Sequence, residues 1–263
     1  MTSIPFAPVP TLSPRAKASN IVAIASGKGG VGKTWFAITL AHALTRTGRR
    51  ALLFDGDLGL ANLDIQLGLM PKYDLGAVIA GRLTLPQAVT AYPDGGFDVI
   101  AGRSGSGNFA NLAASRVQML SDDIAMLAAS YDQVILDLGA GVERTVRQLS
   151  HGAATCVVLA TDEPTSLTDA YAFIKMINAE RPGRDIRIVV NVANSTTEGE
   201  RTYHTLLKAC QGFLKMSPPL LGIIRRDAKV REAIRSQTSL LTRYPNSEAA
   251  LDVETIARRL TGT

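Results

Sequence analysis

The chain has 263 residues, 46% of them hydrophobic, which suits a well-buried core and excludes a disordered polypeptide. No apolar run approaches the ~20 residues needed to span a bilayer, and Met1 to Asn20, with four prolines, Arg15 and Lys17, lacks the apolar core of a secretory signal. Net charge is +5, too mild to dictate a polyanionic partner, and Cys156 and Cys210 have neither pairing nor metal spacing, so the cytoplasm is the expected compartment.

Residues 1–19 read as a flexible, proline-bearing arm ahead of one folded domain, 20–263. Ile21 to Ala25 predicts a buried strand. Gly27-Lys28-Gly29-Gly30-Val31-Gly32 then forms a glycine-rich turn, and Lys33-Thr34 opens a helix whose apolar face carries Phe36, Ile38, Leu40, Ala41 and Leu44. Gly27, Gly32, Lys33 and Thr34 satisfy the pattern Gly, four residues, Gly-Lys-Thr. Glycines let consecutive backbone N–H groups point inward, and the helix N-terminus adds its positive dipole end. In such a loop the lysine sits between the β- and γ-phosphates and the threonine hydroxyl joins a magnesium shell, so ATP and Mg2+ are the expected ligands.

Gly48 ends the first helix, and Ala51 to Asp55 is a second strand. A polar loop with two acids, Asp55 to Asp64, follows it, then helical stretches near Leu75 to Ala80 and Leu83 to Val89. Phe97 to Ala101 is a strand before a serine–glycine loop at 102–107, and Leu112 to Ala129 has helical periodicity. Strands at Gln133 to Leu138, Cys156 to Thr161, Ile186 to Asn191 and Leu220 to Ile224 alternate with helices at Val142 to Leu149, Leu167 to Ala179 and Tyr203 to Phe213; Ser247 to Leu260 is the last helix. Near-continuous apolar strands alternating with helices predict a doubly wound α/β fold, its mainly parallel sheet covered by helices on both faces and its crossovers right-handed.

Acids at strand ends complete the expected chemistry. Asp137 closes an apolar strand in the position that holds magnesium, ahead of the flexible Leu138-Gly139-Ala140-Gly141. Asp55 and Asp57 end the second strand on the same sheet edge as the glycine-rich turn, placing one acid to polarise water and the other to support magnesium. Each also has a plainer reading: Asp137 as a turn or helix cap, Asp55 as a strand cap and Asp57 as a solvated side chain. Arg225, Arg226, Lys229, Arg231 and Arg235 crowd one stretch. Without aromatic residues to stack on bases, a solvated helix face is the favoured reading over a nucleic-acid or lipid surface. His42, His151 and His204 have no ligand spacing, and Trp35 reads as a packing residue.

Lys28, directly after the first glycine, is a charge that an ordinary phosphate loop does not need. Lys-Gly-Gly-Val-Gly-Lys-Thr at 28–34 resembles the deviant phosphate loop of the MinD/ParA family of dimerising ATPases. That resemblance implies an ATP-bound homodimer in which Lys28 reaches the nucleotide of the opposite protomer. It also implies a first switch at Asp55-Gly-Asp57-Leu-Gly-Leu-Ala-Asn62-Leu-Asp64, with Asp57 as the hydrolytic acid and Asp55 as its magnesium-side helper. The second switch is then Asp137, Ala140 and Gly141. Within the family the chain is similar to the flagellar number and placement regulators (the FlhG or FleN subgroup), through residues 57–69, Ser104-Gly105, Asn111-Leu112-Ala113, Glu163 to Tyr171, Asp227 with Val230 and Ala233, and Tyr244 to Ser247.

The resemblance further places Asn191 against the adenine, although its strand-end position equally suits a turn residue; Ile224-Arg225-Arg226-Asp227 is the second base contact, with Arg225 where relatives have proline. The Asp-Gln-Ala-x-x-Leu-Arg motif of relatives has no match in residues 1–20, and with Leu260-Thr-Gly-Thr following the last helix no basic amphipathic lipid-inserting helix is expected. The expected function is thus a slow ATPase switch acting on flagellar assembly or its transcriptional control, recruited to a cell pole or membrane by partners. The alternatives are a ParA-like positioner on nonspecific DNA, a regulator of polysaccharide secretion, and a non-hydrolysing scaffold, against which intact Lys28, Lys33, Thr34, Asp57 and Asp137 argue.

Overall fold

The computed structural model describes residues 20–102 and 112–262; the expected arm at 1–19, the serine–glycine loop beyond Gly102, and the Ser104-Gly105 and Asn111 matches lie outside them. Strands β1 (Ile21–Ser26), β2 (Ala51–Gly56), β3 (Thr90–Tyr92), β4 (Phe97–Ile100), β5 (Gln133–Ala140), β6 (Thr155–Ala160), β7 (Asp185–Ala193) and β8 (Leu220–Arg225) form one sheet in the order β3-β4-β2-β5-β1-β6-β7-β8. Every pairing is parallel except β3 with β4.

The alternation of side chains along each strand divides the core into two layers. Ile21, Ala23 and Ala25 of β1 face the layer that holds Val117 and Ile124 of α4 (Ala114–Ala128), Leu149 of α5 (Arg144–Gly152), Phe173 of α6 (Pro164–Glu180) and Leu206 of α7 (Thr196–Ala209). Val22 and Ile24 face the other layer, with Phe36 and Leu40 of α1 (Lys33–Arg46) and Val253 and Ile256 of α10 (Glu248–Thr261). Each large side chain buried this way contributes on the order of 1.5–3 kcal/mol, so a strand apolar on both faces has no stable place except the middle of this sandwich.

The differences from expectation have physical causes. The helical stretch expected at Leu83 to Val89 is confined to one 3₁₀ turn, Leu85–Ala88, with Pro86 in second place, and the chain then turns into the short antiparallel edge strand β3. The polar loop after β2 contains the short helix α2 (Leu63–Leu67), ended by Gly68 at φ 61°. Helix α7 begins at Thr196, seven residues before Tyr203, because Ser195 caps it by accepting the Glu198 N–H; a π-helical turn (Cys210–Leu214) follows it. The helices α3 (Leu75–Ile79), α8 (Ala228–Arg235) and α9 (Leu240–Arg243) complete the fold. Among the described residues no helix is long and apolar enough to cross a membrane.

Strands β2 to β5 lie on one side of β1 and β6 to β8 on the other, so the winding reverses across β1 between β5 and β6. In an open α/β sheet a ligand crevice opens outside the carboxyl ends at such a switch point. The segments following β1, β2, β5, β6, β7 and β8 all arrive at that edge.

Candidate functional site

The turn after β1 ends on Gly32, which starts α1 in the left-handed conformation at φ 91°. A Cβ there would stand 2.5 Å from Asn191 Nδ2, and a Cβ on Gly27 would stand 2.0 Å from the Asp169 carbonyl oxygen. Both glycines are therefore demanded by close approach, and Gly32 also by its left-handed backbone. No side chain caps α1 and no acid lies in its first turn, so its leading N–H groups and dipole end are left for an external anion. Gly29, Gly30 and Val31 complete the curl between Lys28 and Gly32.

Lys33 is 9% exposed, and burial holds its ammonium below the usual lysine range, against the pull of Asp137 and then Asp57. Asp55 and Asp137 are register partners on β2 and β5 and are almost wholly buried. Burial, reinforced by Asp137, pushes the Asp55 carboxyl up to about 8. Burial pushes Asp137 up to about 7, opposed by a hydrogen bond from the Thr34 hydroxyl and by Lys33. Asp137 Oδ1 is buried and has no partner. The structure thus brings Lys33, Thr34, Asp55, Asp57 and Asp137 to one place.

Their present bonds differ. Both oxygens of Asp55 are engaged with backbone, accepting from the N–H groups of Asp57 (3.2 Å), Asn62 (3.3 Å) and Leu63 (3.4 Å), so Asp55 shapes the loop. Asp57 accepts the Leu60 N–H at 2.9 Å and packs beside Gly139. Among the described residues no cluster of three or more His, Cys, Asp or Glu forms a ready-made metal cage. The donor set of hydroxyl and carboxylate oxygens, with one buried oxygen unpartnered, fits magnesium, which keeps several waters and leans on substrate phosphates.

Lys28 is directed to its own chain: its ammonium donates to Glu163, which precedes α6, and to the Thr165 hydroxyl at 2.8 Å. Sequence reasoning missed both partners, although Pro164 is a recognisable first helical residue that could have moved the start of α6 to that point.

Beside the loop lies a cavity of about 570 Å³ lined by Val31, Gly32, Trp35, Asn191, Ile224 and Arg231, among others. Asn191 is 3% exposed and bonds inward, Nδ2 donating to the Val31 carbonyl at 2.8 Å and Oδ1 accepting the Val192 N–H at 2.9 Å. Each of those atoms retains further capacity, one N–H and one lone pair. Trp35 is mostly packed, as expected, but one edge borders this cavity. The basic stretch is partly neutralised: Arg225 pairs with Asp252 and Glu248, and Lys229 with Glu232, which supports the solvated-face reading.

Residues 22–240 match the model of the CobQ/CobB/MinD/ParA nucleotide binding domain family (CbiA). The chain belongs to this family. It is 35% identical to the antiactivator FleN of Pseudomonas aeruginosa over 240 residues, covering 91% of this chain and 85% of FleN. To the flagellum site-determining protein YlxH of Helicobacter pylori it is 29% identical over 241 residues, covering 91% and 81%. In fold it is similar to septum site-determining MinD of Pyrococcus horikoshii, solved with Mg-ADP, at a TM-score of 0.76 and 24% identity, covering 92% and 95% of the two chains.

Proposed function

We propose that this protein is an ATPase switch that dimerises on ATP and controls the number or placement of flagella. The observation that carries it is the Lys33–Thr34–Asp137 group beneath the bare N-terminus of α1, with Asp137 Oδ1 buried and unpartnered, in a chain whose relatives include FleN and YlxH.

When bound, magnesium–ATP supplies the phosphoanhydride bond whose cleavage resets the switch. Gly27 to Gly32 wrap the phosphates with backbone N–H groups while Lys33 provides a fixed positive charge. Thr34 and Asp137 present oxygen to the metal and its waters. Asp57 orients the attacking water and takes its proton; Asp55 holds the first switch in register through its backbone bonds. Asn191 borders the nucleoside. In the dimer Lys28 leaves Glu163 for the nucleotide of the opposite protomer, so partner affinity follows nucleotide state. The flagellar role rests on the likeness to FleN and YlxH, which concerns nearly the whole chain.

Solution mass with and without Mg-ATP tests the switch. Wild type should pass from monomer to dimer with ATP. Asp57→Ala should lose about a hundredfold in hydrolysis while remaining trapped as dimer, and Lys28→Ala should stay monomeric. Unchanged mass with normal hydrolysis by Asp57→Ala would sink the reading. Flagella per cell in a deletion strain complemented by wild type or Lys28→Ala tests the biological role.

A further inference from the structure

We infer that Arg225 and Asp252 position the base-side wall of the nucleotide cavity, making the C-terminal helix α10 a working part of the site. Arg225 ends β8 where the chain turns along the cavity. Its backbone N–H donates to Asp252 Oδ2 at 2.9 Å, its Nε to the same oxygen at 3.0 Å, and its Nη2 to Asp252 Oδ1 at 2.9 Å. Glu248 accepts from Nη1 at 2.6 Å. The Asp252 side chain is only 16% exposed, so this forked pair is better shielded from water and salt than an ordinary surface ion pair.

The next two residues are tied to other elements. The Arg226 N–H donates to the Ala193 carbonyl at the end of β7, at 2.7 Å. Asp227 accepts the Lys229 N–H at 2.8 Å, capping α8, and the Ala249 N–H of α10 at 3.2 Å. Three successive residues are thereby fixed to α10, to β7, and to α8 and α10 together, and they lead directly into the cavity-lining residues of α8. Helix α10 is itself fixed against β8: a Cβ on Gly222 would lie 2.4 Å from Ile256 Cγ1. Asp252 therefore sits on a rigid platform, and Arg225 transmits that position to the turn. Arg225 and Asp252 are positioning residues. Neither is assigned a bond to the ligand.

The inference rests on the proposed reading of the cavity as the nucleoside pocket, and the test separates the two. Equilibrium binding of Mg-ATP and of magnesium with inorganic triphosphate is measured on the full chain, since triphosphate engages the phosphate loop alone. Wild type should bind ATP at least about tenfold more tightly than triphosphate, a difference of about 1.4 kcal/mol. Asp252→Asn and Arg225→Lys each break the fork and should lose about five- to tenfold in ATP affinity, with triphosphate binding unchanged within about twofold. In turnover KM should rise at unchanged kcat. An unchanged ATP-to-triphosphate ratio in both variants overturns the inference, as does an equal fall for both ligands. A wild type that does not prefer ATP overturns the nucleoside reading itself.

Discussion

The two halves of the crevice are built on opposite principles. On the phosphate side charges are buried faster than they are matched: Asp55 and Asp137 are driven up to about 8 and about 7, Lys33 is driven down, and Asp137 Oδ1 has no partner. On the base side Arg225 is forked to Asp252, Asp227 caps α8, and Asn191 bonds Val31 and Val192. The base side pairs Arg225 and Asp227 and leaves neutral groups open, the Trp35 Nε1 N–H among them, whereas the phosphate side leaves a buried carboxylate oxygen unpartnered. Burying charge without full compensation costs stability, so the phosphate side is the part of the crevice where the fold carries that cost. On the proposed reading, phosphate and metal complete the first side and the second serves as a wall.

The largest effect should follow from deleting the charge that the phosphate side buries for its ligand. Lys33→Ala should weaken Mg-ATP binding by about a hundredfold or more, the scale of a lost bond to a charged group. Titration calorimetry checks it. Near-wild-type affinity would mean that the backbone N–H cradle suffices and that the comparison assigns the strain wrongly.

A second variant should gain stability. Asp137→Asn keeps an acceptor for the Thr34 hydroxyl and removes the buried negative charge. The folded carboxyl titrates near 7 against 3.8 in the unfolded chain, so the native state binds the extra proton and wild-type stability drains away as pH rises from about 4 through 7. At pH 8 the nucleotide-free variant should be more stable by about 2 kcal/mol, raising Tm by roughly 5 °C. The gain should vanish near pH 4, and Mg-ATP binding should suffer throughout. Thermal melts across that range check the sign; an equal or lower Tm at pH 8 would show that Asp137 is compensated after all.

Much of this contrast was legible in the sequence. Strand β1, the glycine turn and the opening of α1 were readable because the spacing of Gly27, Gly32, Lys33 and Thr34 has a single mechanical meaning. The acids at 55, 57 and 137 were readable because an apolar strand fixes where its carboxyl end lies. Edge strand β3 was not: Thr90–Tyr92 is too short to show a period, and it is held by β4. The base-side fork was hidden as well, since Arg225 and Asp252 lie 27 residues apart on different elements and their pairing is a product of packing α10 on β8. Viewed as sequence, Arg225 was only a missing proline and one more charge in a basic run.

His42 is a buried titratable group outside the crevice lining. It lies on α1, is 8% exposed, and its Nδ1 is 2.8 Å from the hydroxyl of Ser239, just before α9. Burial, with help from Arg46, holds it down to about 4 against 6.5 in the unfolded chain. The native state therefore binds fewer protons between those values. Stability is complete above about pH 6.5 and is lost as pH falls toward 4, by about 2 kcal/mol. His42→Gln should flatten that acid limb in urea titrations; an unchanged limb would assign it to other groups.

The smallest effect on the fold belongs to Glu163→Gln, and it is the sharpest test of how the phosphate side is completed. The Lys28 and Glu163 side chains are 35% and 62% exposed, so breaking the pair should change stability by less than about 0.5 kcal/mol. Its effect on assembly should be larger than that. On the proposed reading, Glu163 competes in the monomer for the ammonium that Lys28 carries to the opposite protomer. Weakening the competitor should let Mg-ATP drive dimerisation at a protein concentration about two- to fivefold lower, because the free energy lost in the monomer is recovered twice per dimer, once for each Lys28. Sedimentation at graded concentrations measures the shift, with Lys28→Ala as the dimerisation-deficient control. An unshifted midpoint would mean that Lys28 leaves Glu163 at no cost. A weaker dimer would mean that Glu163 guides the lysine across the interface, and that the phosphate side is already arranged for its partner before the nucleotide arrives.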